Sequence, residues 1–101
     1  MEFVGFDWDE GNWPKCGKHG VSREEIEGAF SRSDFAYYPA VAPNLIEKRW
    51  IAMGPSPKSG RWLFVVFALR EIGGVTKARP LSARFMHDKE IRRYARDNQH
   101  E

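Results

Sequence analysis

Short apolar runs separated by polar breaks punctuate this chain, and each run predicts an element. The strongest is Trp62 to Arg70 (WLFVVFALR), in which Leu63 to Leu69 is apolar throughout and an arginine closes the run. A buried helix can show the same run. Its shortness, its Val and Phe content, the turn residues Pro55 to Gly60 before it and the Gly73-Gly74 pair after it favour a central strand. With no polar alternation, such a strand is expected to be covered on both faces, by helix on one side and by chain or partner on the other.

The remaining elements follow from period, caps and breakers. Phe3 to Trp8 predicts a first strand, with Phe3, Gly5 and Asp7 on one side and Val4, Phe6 and Trp8 on the other. Asp9 or Asn12 can cap a helix that tolerates Pro14 in its first turn and stops at Gly20. Ser22-Arg23-Glu24-Glu25 is a capping box with Val21 and Ile26 at staple positions, and it predicts a second helix with Ile26, Ala29 and Phe30 inward, ending near Arg32. Phe35 to Ala40 reads as a strand made short or peripheral by Pro39, followed by a loop from Val41 to Asn44. Arg49 to Gly54 is a further strand. Val75 to Arg84 is the last, with Lys77 and Arg79 on one face, Arg84 on the other, and Pro80 implying a bulge or an edge. His87 to Asp97 predicts a closing helix with Ile91, Tyr94 and Ala95 inward and Arg92, Arg93 and Arg96 outward. The order is βααββββα, an α+β domain on a mostly antiparallel sheet of four to five strands.

Composition narrows the class. A chain of 101 residues makes one domain, here residues 1–101, and four Trp, three Tyr and seven Phe supply large burial per residue. The single cysteine, Cys16, excludes an internal disulfide, and Cys and His never cluster with zinc spacing, so neither metal nor cofactor is expected. No apolar run approaches the roughly 20 residues of a membrane span, and the acidic start is unlike a signal peptide, which makes a reducing cytoplasm the expected location. Charge is split along the chain: residues 1–47 carry four Lys/Arg against nine Asp/Glu, and residues 48–101 carry twelve against five. A basic second half suggests one face for a polyanion.

The succession of motifs carries a resemblance. Trp8-Asp9-Glu10-Gly11-Asn12, Lys15, Lys18-His19-Gly20-Val21-Ser22 and Glu24-Glu25 come first. Arg49-Trp50-Ile51-Ala52-Met53-Gly54, Leu63 to Phe67 with Arg70, Leu81-Ser82-Ala83-Arg84, Glu90 and Arg93-Tyr94 follow in order. Over residues 3–96 this resembles the BrnT-type toxins, departing from their pattern at Pro14, Pro55 and His87. The resemblance implies a RelE-like fold and a small cytoplasmic ribonuclease that arrests translation. It also implies a hetero-oligomer with a BrnA-type antitoxin, a ribbon-helix-helix DNA-binding protein encoded beside it.

Cleaving RNA without metal requires a base for the 2′-hydroxyl, cations for the charge on phosphorus and an acid for the departing 5′-oxygen. Arginine suits the second role and is poor at the others. Arg49, Arg70, Arg79 and Arg84 stand on or at the ends of predicted strands, so the sheet is expected to gather them at one phosphate. Arg49, Arg70 and Arg84 are candidate catalytic groups with His19, since histidine is the residue type suited to exchanging a proton at neutral pH. Arg79, Lys18, Lys77, Trp13, His87 and Tyr94 are candidate RNA-binding groups, with Trp13 expected to be exposed and able to stack on a base; Glu47 is a further proton-transfer candidate. The same residues also fit a non-catalytic nucleic-acid-binding or interaction module. Sheet edges weakened by Pro39 or Pro80, with Leu45 or Phe85, are candidate antitoxin contacts.

Overall fold

The structure, a computed structural model, describes residues 2–31, 36–40 and 48–97, with backbone only at 36–40 and 97. A 3-10 turn at Lys15–Gly17 is followed by helix α1 (Arg23–Phe30), strands β1 (Ala36–Ala40), β2 (Arg49–Pro55), β3 (Trp62–Ile72) and β4 (Val75–Phe85), and helix α2 (Asp88–Asp97). The strands form one antiparallel sheet in chain order, β1-β2-β3-β4. The architecture is α+β, as the pattern implied. Arg32, Phe35, Val41 to Asn44, Leu45 and Glu47 lie outside the described residues. No described helix is long and apolar enough to cross a membrane.

The amino-terminal expectations need correcting. Phe3 to Trp8 forms no regular strand. It runs parallel along the outer edge of β4 through a single bridge, Phe6 to Ala78, with Val4 N–H donating to the Thr76 carbonyl and Asp7 N–H to that of Ala78. Gly5, at φ 98°, turns the chain between them, and this breaks the expected two-sided pattern. Phe3 and Phe6 consequently point the same way, stacking edge-on at 5.9 Å, while Val4 is left exposed. The predicted first helix shrinks to the 3-10 turn, because the chain from Asp9 to Asn12 is spent on a hydrogen-bonded turn. Asp9 N–H donates to the Asn12 side-chain carbonyl, and Asn12 Nδ2 donates to the carbonyls of Asp7 and Pro80. Asn12 is thus buried and satisfied, tying this turn to β4.

Helix α1 starts as its capping box dictates. Glu25 N–H donates to the Ser22 hydroxyl and Ser22 N–H to Glu25. Glu25 also accepts from the Ser56 hydroxyl at 2.8 Å, so the same carboxylate pins the helix to the β2–β3 turn. Burial alone would raise the Glu25 carboxyl; the bonds from Ser56 and Ser22 outweigh it and hold the group below its ordinary value. Ile26, Ala29 and Phe30 are buried beneath α1 together with Val21, as the staple predicted. Phe30 meets Phe67 of β3 at 5.1 Å, Phe6 at 5.3 Å and Phe3 at 5.5 Å, so one aromatic cluster joins helix, sheet and amino-terminal segment.

On the central strand Leu63, Val65 and Phe67 are fully buried under α1, while on the other face Ala68 is buried and Trp62, Phe64 and Val66 are half-buried, with Tyr94 of α2 packed on Trp62. The β3–β4 connection is the two-residue Gly73-Gly74 turn, both at positive φ, which suits the twist of a tight hairpin. Truncating Phe67 removes the ring on which the cluster converges. Phe67→Ala is expected to lower unfolding free energy by about 3–5 kcal/mol, read as a fall in denaturant midpoint at unchanged m-value.

Candidate nucleic-acid interface

Register decides which side chains share a face. On β3 the residues Phe64, Val66, Ala68 and Arg70 point away from α1. Their cross-strand partners point the same way: Arg49, Ile51 and Met53 on β2 oppose Ala68, Val66 and Phe64, and Lys77, Arg79 and Arg84 on β4 oppose Arg70, Ala68 and Phe64. Arg79 and Arg84 are five positions apart, and strict alternation would place them on opposite faces, as the sequence suggested. They stand on one face because the register slips between Val66 and Phe67: Val66 pairs with Ser82 and Phe67 with Pro80, which leaves Leu81 as the extra residue of a bulge. The bulge anticipated at Pro80 therefore exists, and it overturns the assignment of Arg84.

The face carries five cations, but it does not focus them at one point. Arg49 and Arg79 flank the fully buried Ala68 in one row, about 10 Å apart at two strand spacings. Arg70 and Lys77 form the next row, and Arg84 lies about 13 Å along the strands in the opposite direction. Between them lie the half-buried apolar side chains Ile51, Met53, Phe64 and Val66.

Two of these arginines are held by carboxylates. Arg79 donates from Nη1 to Asp7 at 3.1 Å and from Nη1 and Nη2 to the two oxygens of Asp9, both at 2.9 Å. Its side chain is 12% exposed, whereas that of Asp9 is 55% exposed. Gly11 sits against this clasp and donates its N–H to Asp9; a Cβ there would stand 2.9 Å from Arg79 Nη2. The Arg79 fork, the Gly11 N–H and the charge of Arg70 hold the Asp9 carboxyl below its ordinary value. At the far end, Arg84 forms a two-point pair with Glu90 of α2 at 2.7 and 2.8 Å and lies over the Phe64 ring at 4.5 Å. The Nε of Arg49 is buried without a hydrogen-bond partner among the described residues. Arg70 is exposed at the end of the same face and influences Asp9 through space.

The remaining expected residues fall into two places. His87 is exposed at the junction of β4 and α2, its N–H bonded to Glu90, and Tyr94 packs on Trp62 at 5.3 Å. Trp13, Lys18 and His19 belong instead to the 3-10 turn region. Lys18 and His19 are exposed, but Trp13 is half-buried against Trp8 at 5.5 Å, which corrects the expectation of an exposed ring. Pro80 is not at a free edge, since residues 4–7 cover that side of β4, and Phe85 packs on the core with Arg61 over its ring. Asp7, Asp9 and Glu90 were missed as site residues. The aspartates read as strand and cap, and nothing in the spacing pairs residue 9 with residue 79. The Arg84–Glu90 separation of six residues carries no pairing signal across a strand end and a helix start.

An antiparallel sheet with α1 behind it and arginines and lysine across its other face defines a small α+β protein with a basic sheet surface. Its particular kind is given by sequence: residues 8–90 match the family described as ribonuclease toxin, BrnT, of type II toxin-antitoxin system, and the chain belongs to that family. The match begins beside Asp9 and ends on Glu90, so it spans both arginine clasps apart from Asp7. No curated protein matches the chain.

The Arg84–Glu90 pair makes a pH prediction. The Arg84 fork and the His87 N–H hold Glu90 at about 2, below its ordinary 4.5. A carboxyl lowered in the folded state stabilises above its unfolded value and ceases to do so as pH falls through the folded one. The contribution is therefore complete above about pH 4.5 and lost towards pH 2. Between about pH 5 and pH 3 the melting temperature of Glu90→Gln should fall less than that of the parent protein.

Proposed function

We propose that this chain is a RelE-like, metal-independent endoribonuclease of the cytoplasm that arrests translation by cutting RNA and is silenced by a BrnA-type antitoxin. The observation that carries the reading is the bulge-assembled basic face, which aligns Arg49, Arg70, Lys77, Arg79 and Arg84 on one side of the sheet of a protein in a ribonuclease toxin family. Guanidinium groups can stabilise charge on a phosphorane, the role a metal would otherwise take.

In this reading the scissile phosphate sits at the Arg49, Arg70 and Lys77 end. There Arg49 Nε, without a partner among the described residues, gains an acceptor, and Asp9, exposed and deprotonated at neutral pH, serves as the base for the 2′-hydroxyl proton. Attack of the 2′-oxygen, its proton passing to Asp9, breaks the bond from phosphorus to the 5′-oxygen, which leaves as a hydroxyl on a proton from water, and a 2′,3′-cyclic phosphate remains. Arg84, about 13 Å along the strands from the Arg49 row and about 20 Å from the Arg70 row, meets a different phosphate of the same strand. Phe64 and Val66 lie between the two anchor points, where unpaired bases can rest on apolar surface. His87 and Tyr94 flank the Arg84 end, and His19 stands apart from the face on the 3-10 turn side. The antitoxin reading is supported by the half-buried apolar strip Ile51, Met53, Phe64 and Val66, which a partner can cover.

The carboxylate clasps on Arg79 and Arg84 favour a second reading, an RNA-binding module without turnover, because they already satisfy two of the proposed phosphate ligands. One experiment separates the two. Purified protein is incubated with RNA in EDTA; the enzyme reading expects fragments ending in cyclic phosphate. Arg49→Ala or Arg70→Ala should lower their rate of appearance about 100-fold, with unchanged thermal unfolding. RNA bound but intact supports the module, and cleavage undiminished in both variants removes the arginine site.

A further inference from the structure

We propose that the depression beside the 3-10 turn is a second nucleotide subsite, where a base of single-stranded RNA stacks on Trp13 while its phosphate pairs with Lys18. This rests on the RNA reading above and extends it to the opposite side of the amino-terminal turn.

The depression has a volume of about 430 Å³ and is lined by Trp13, Pro14, Gly17, Lys18, Val21 and Ser22. That volume lies in the range of small-ligand sites. Its lining residues are apolar or glycine apart from Lys18 and Ser22, and none of them is acidic. A flat ring carrying an anion satisfies both halves of such a lining. An apolar peptide would leave Lys18 without a counter-charge.

The indole is already fixed. Trp8 meets it edge-on at 5.5 Å, and the Arg23 guanidinium lies 5.0 Å from the Trp8 ring and 5.9 Å from the Trp13 ring. Trp8 is itself held by donating from Nε1 to Glu27 at 2.7 Å. Gly17 provides the seat, since a Cβ there would stand 2.9 Å from Cη2 of Trp13. A stacking surface fixed before binding loses little freedom when a base arrives.

Position links the depression to the sheet face. Trp13 N–H donates to the Asp9 carbonyl at 2.9 Å, and the Asp9 carboxylate grips Arg79 on that face. One turn of chain therefore presents a cation row on one side and an aromatic seat on the other. Residues 9 and 13 belong to the same turn, so a single strand touching both covers the few nucleotides usual for single-strand grooves.

The test is binding of a fluorescently labelled, uncleavable 2′-O-methyl RNA 12-mer in EDTA at fixed salt, alongside thermal unfolding of each variant. Lys18 is exposed, so Lys18→Gln should fold normally, bind several-fold more weakly and show a shallower salt dependence. Trp13→Ala should weaken binding roughly ten-fold, and Trp13→Phe should restore most of it. If the parent protein binds and Arg70→Ala weakens it while Lys18→Gln and both Trp13 variants match the parent, the subsite is wrong and the RNA reading stands. If the parent protein does not bind, the RNA reading fails and the subsite with it. Should Trp13→Ala unfold, the Lys18→Gln affinity and salt slope decide alone. Loss confined to binding of a protein partner also overturns the proposal.

Discussion

A strand shows its side chains alternately to two faces, and on β4 that alternation is interrupted once, opposite Val66 and Phe67. Before the interruption Ala78 and Pro80 face the core and Lys77 and Arg79 face out; after it Ala83 faces the core and Arg84 faces out. Without the extra residue, one segment of β4 would turn charge into the core or apolar side chains to solvent. Burial of Leu63, Val65 and Phe67 beneath α1 leaves no room for that exchange, so the core enforces the bulge. The basic face is thus a consequence of packing on the other side of the sheet.

The aromatic cluster has a second effect through the edge of the sheet. Phe3 and Phe6 join Phe30 and Phe67, which brings residues 4–7 against β4 and fills hydrogen-bonding positions that would otherwise lie open. The same docking carries Asp7 and Asp9 round to the outer face, where they meet Arg79. The negative first half and positive second half of the chain are therefore joined in space at this clasp as well as separated in sequence.

Much of this was legible in the residues. The capping box, the buried stripe of α1, the central strand and the glycine hairpin are local signals, and the structure reproduces them within a residue or two. Where the sequence misled, a distant partner decided the outcome. Phe3 to Trp8 looks like a strand because its composition is right, but Gly5 and the aromatic cluster bend it into a single bridge. Asp9 to Asn12 looks like a helix cap, yet Asn12 is bonded to Pro80, sixty-eight positions away. Sharing of a face by Arg49, Arg70, Arg79 and Arg84 needed the register, and their spread along it needed the rows.

That spread changes what the face can do. Several guanidinium groups around one phosphate would repel one another when empty, and a compact cluster needs compensation in the free protein. Here the cost is limited in two ways: distance separates Arg84 from the others, and carboxylates neutralise Arg79 and Arg84. Arg84 and Glu90 are each about one-third exposed, so that pair can open to an incoming anion, whereas Arg79, 12% exposed and forked onto Asp9, is held more firmly. A polyanion lying along the strands meets cations in succession at different rows, with apolar surface between, and that spacing suits an extended single strand better than a lone phosphate ion.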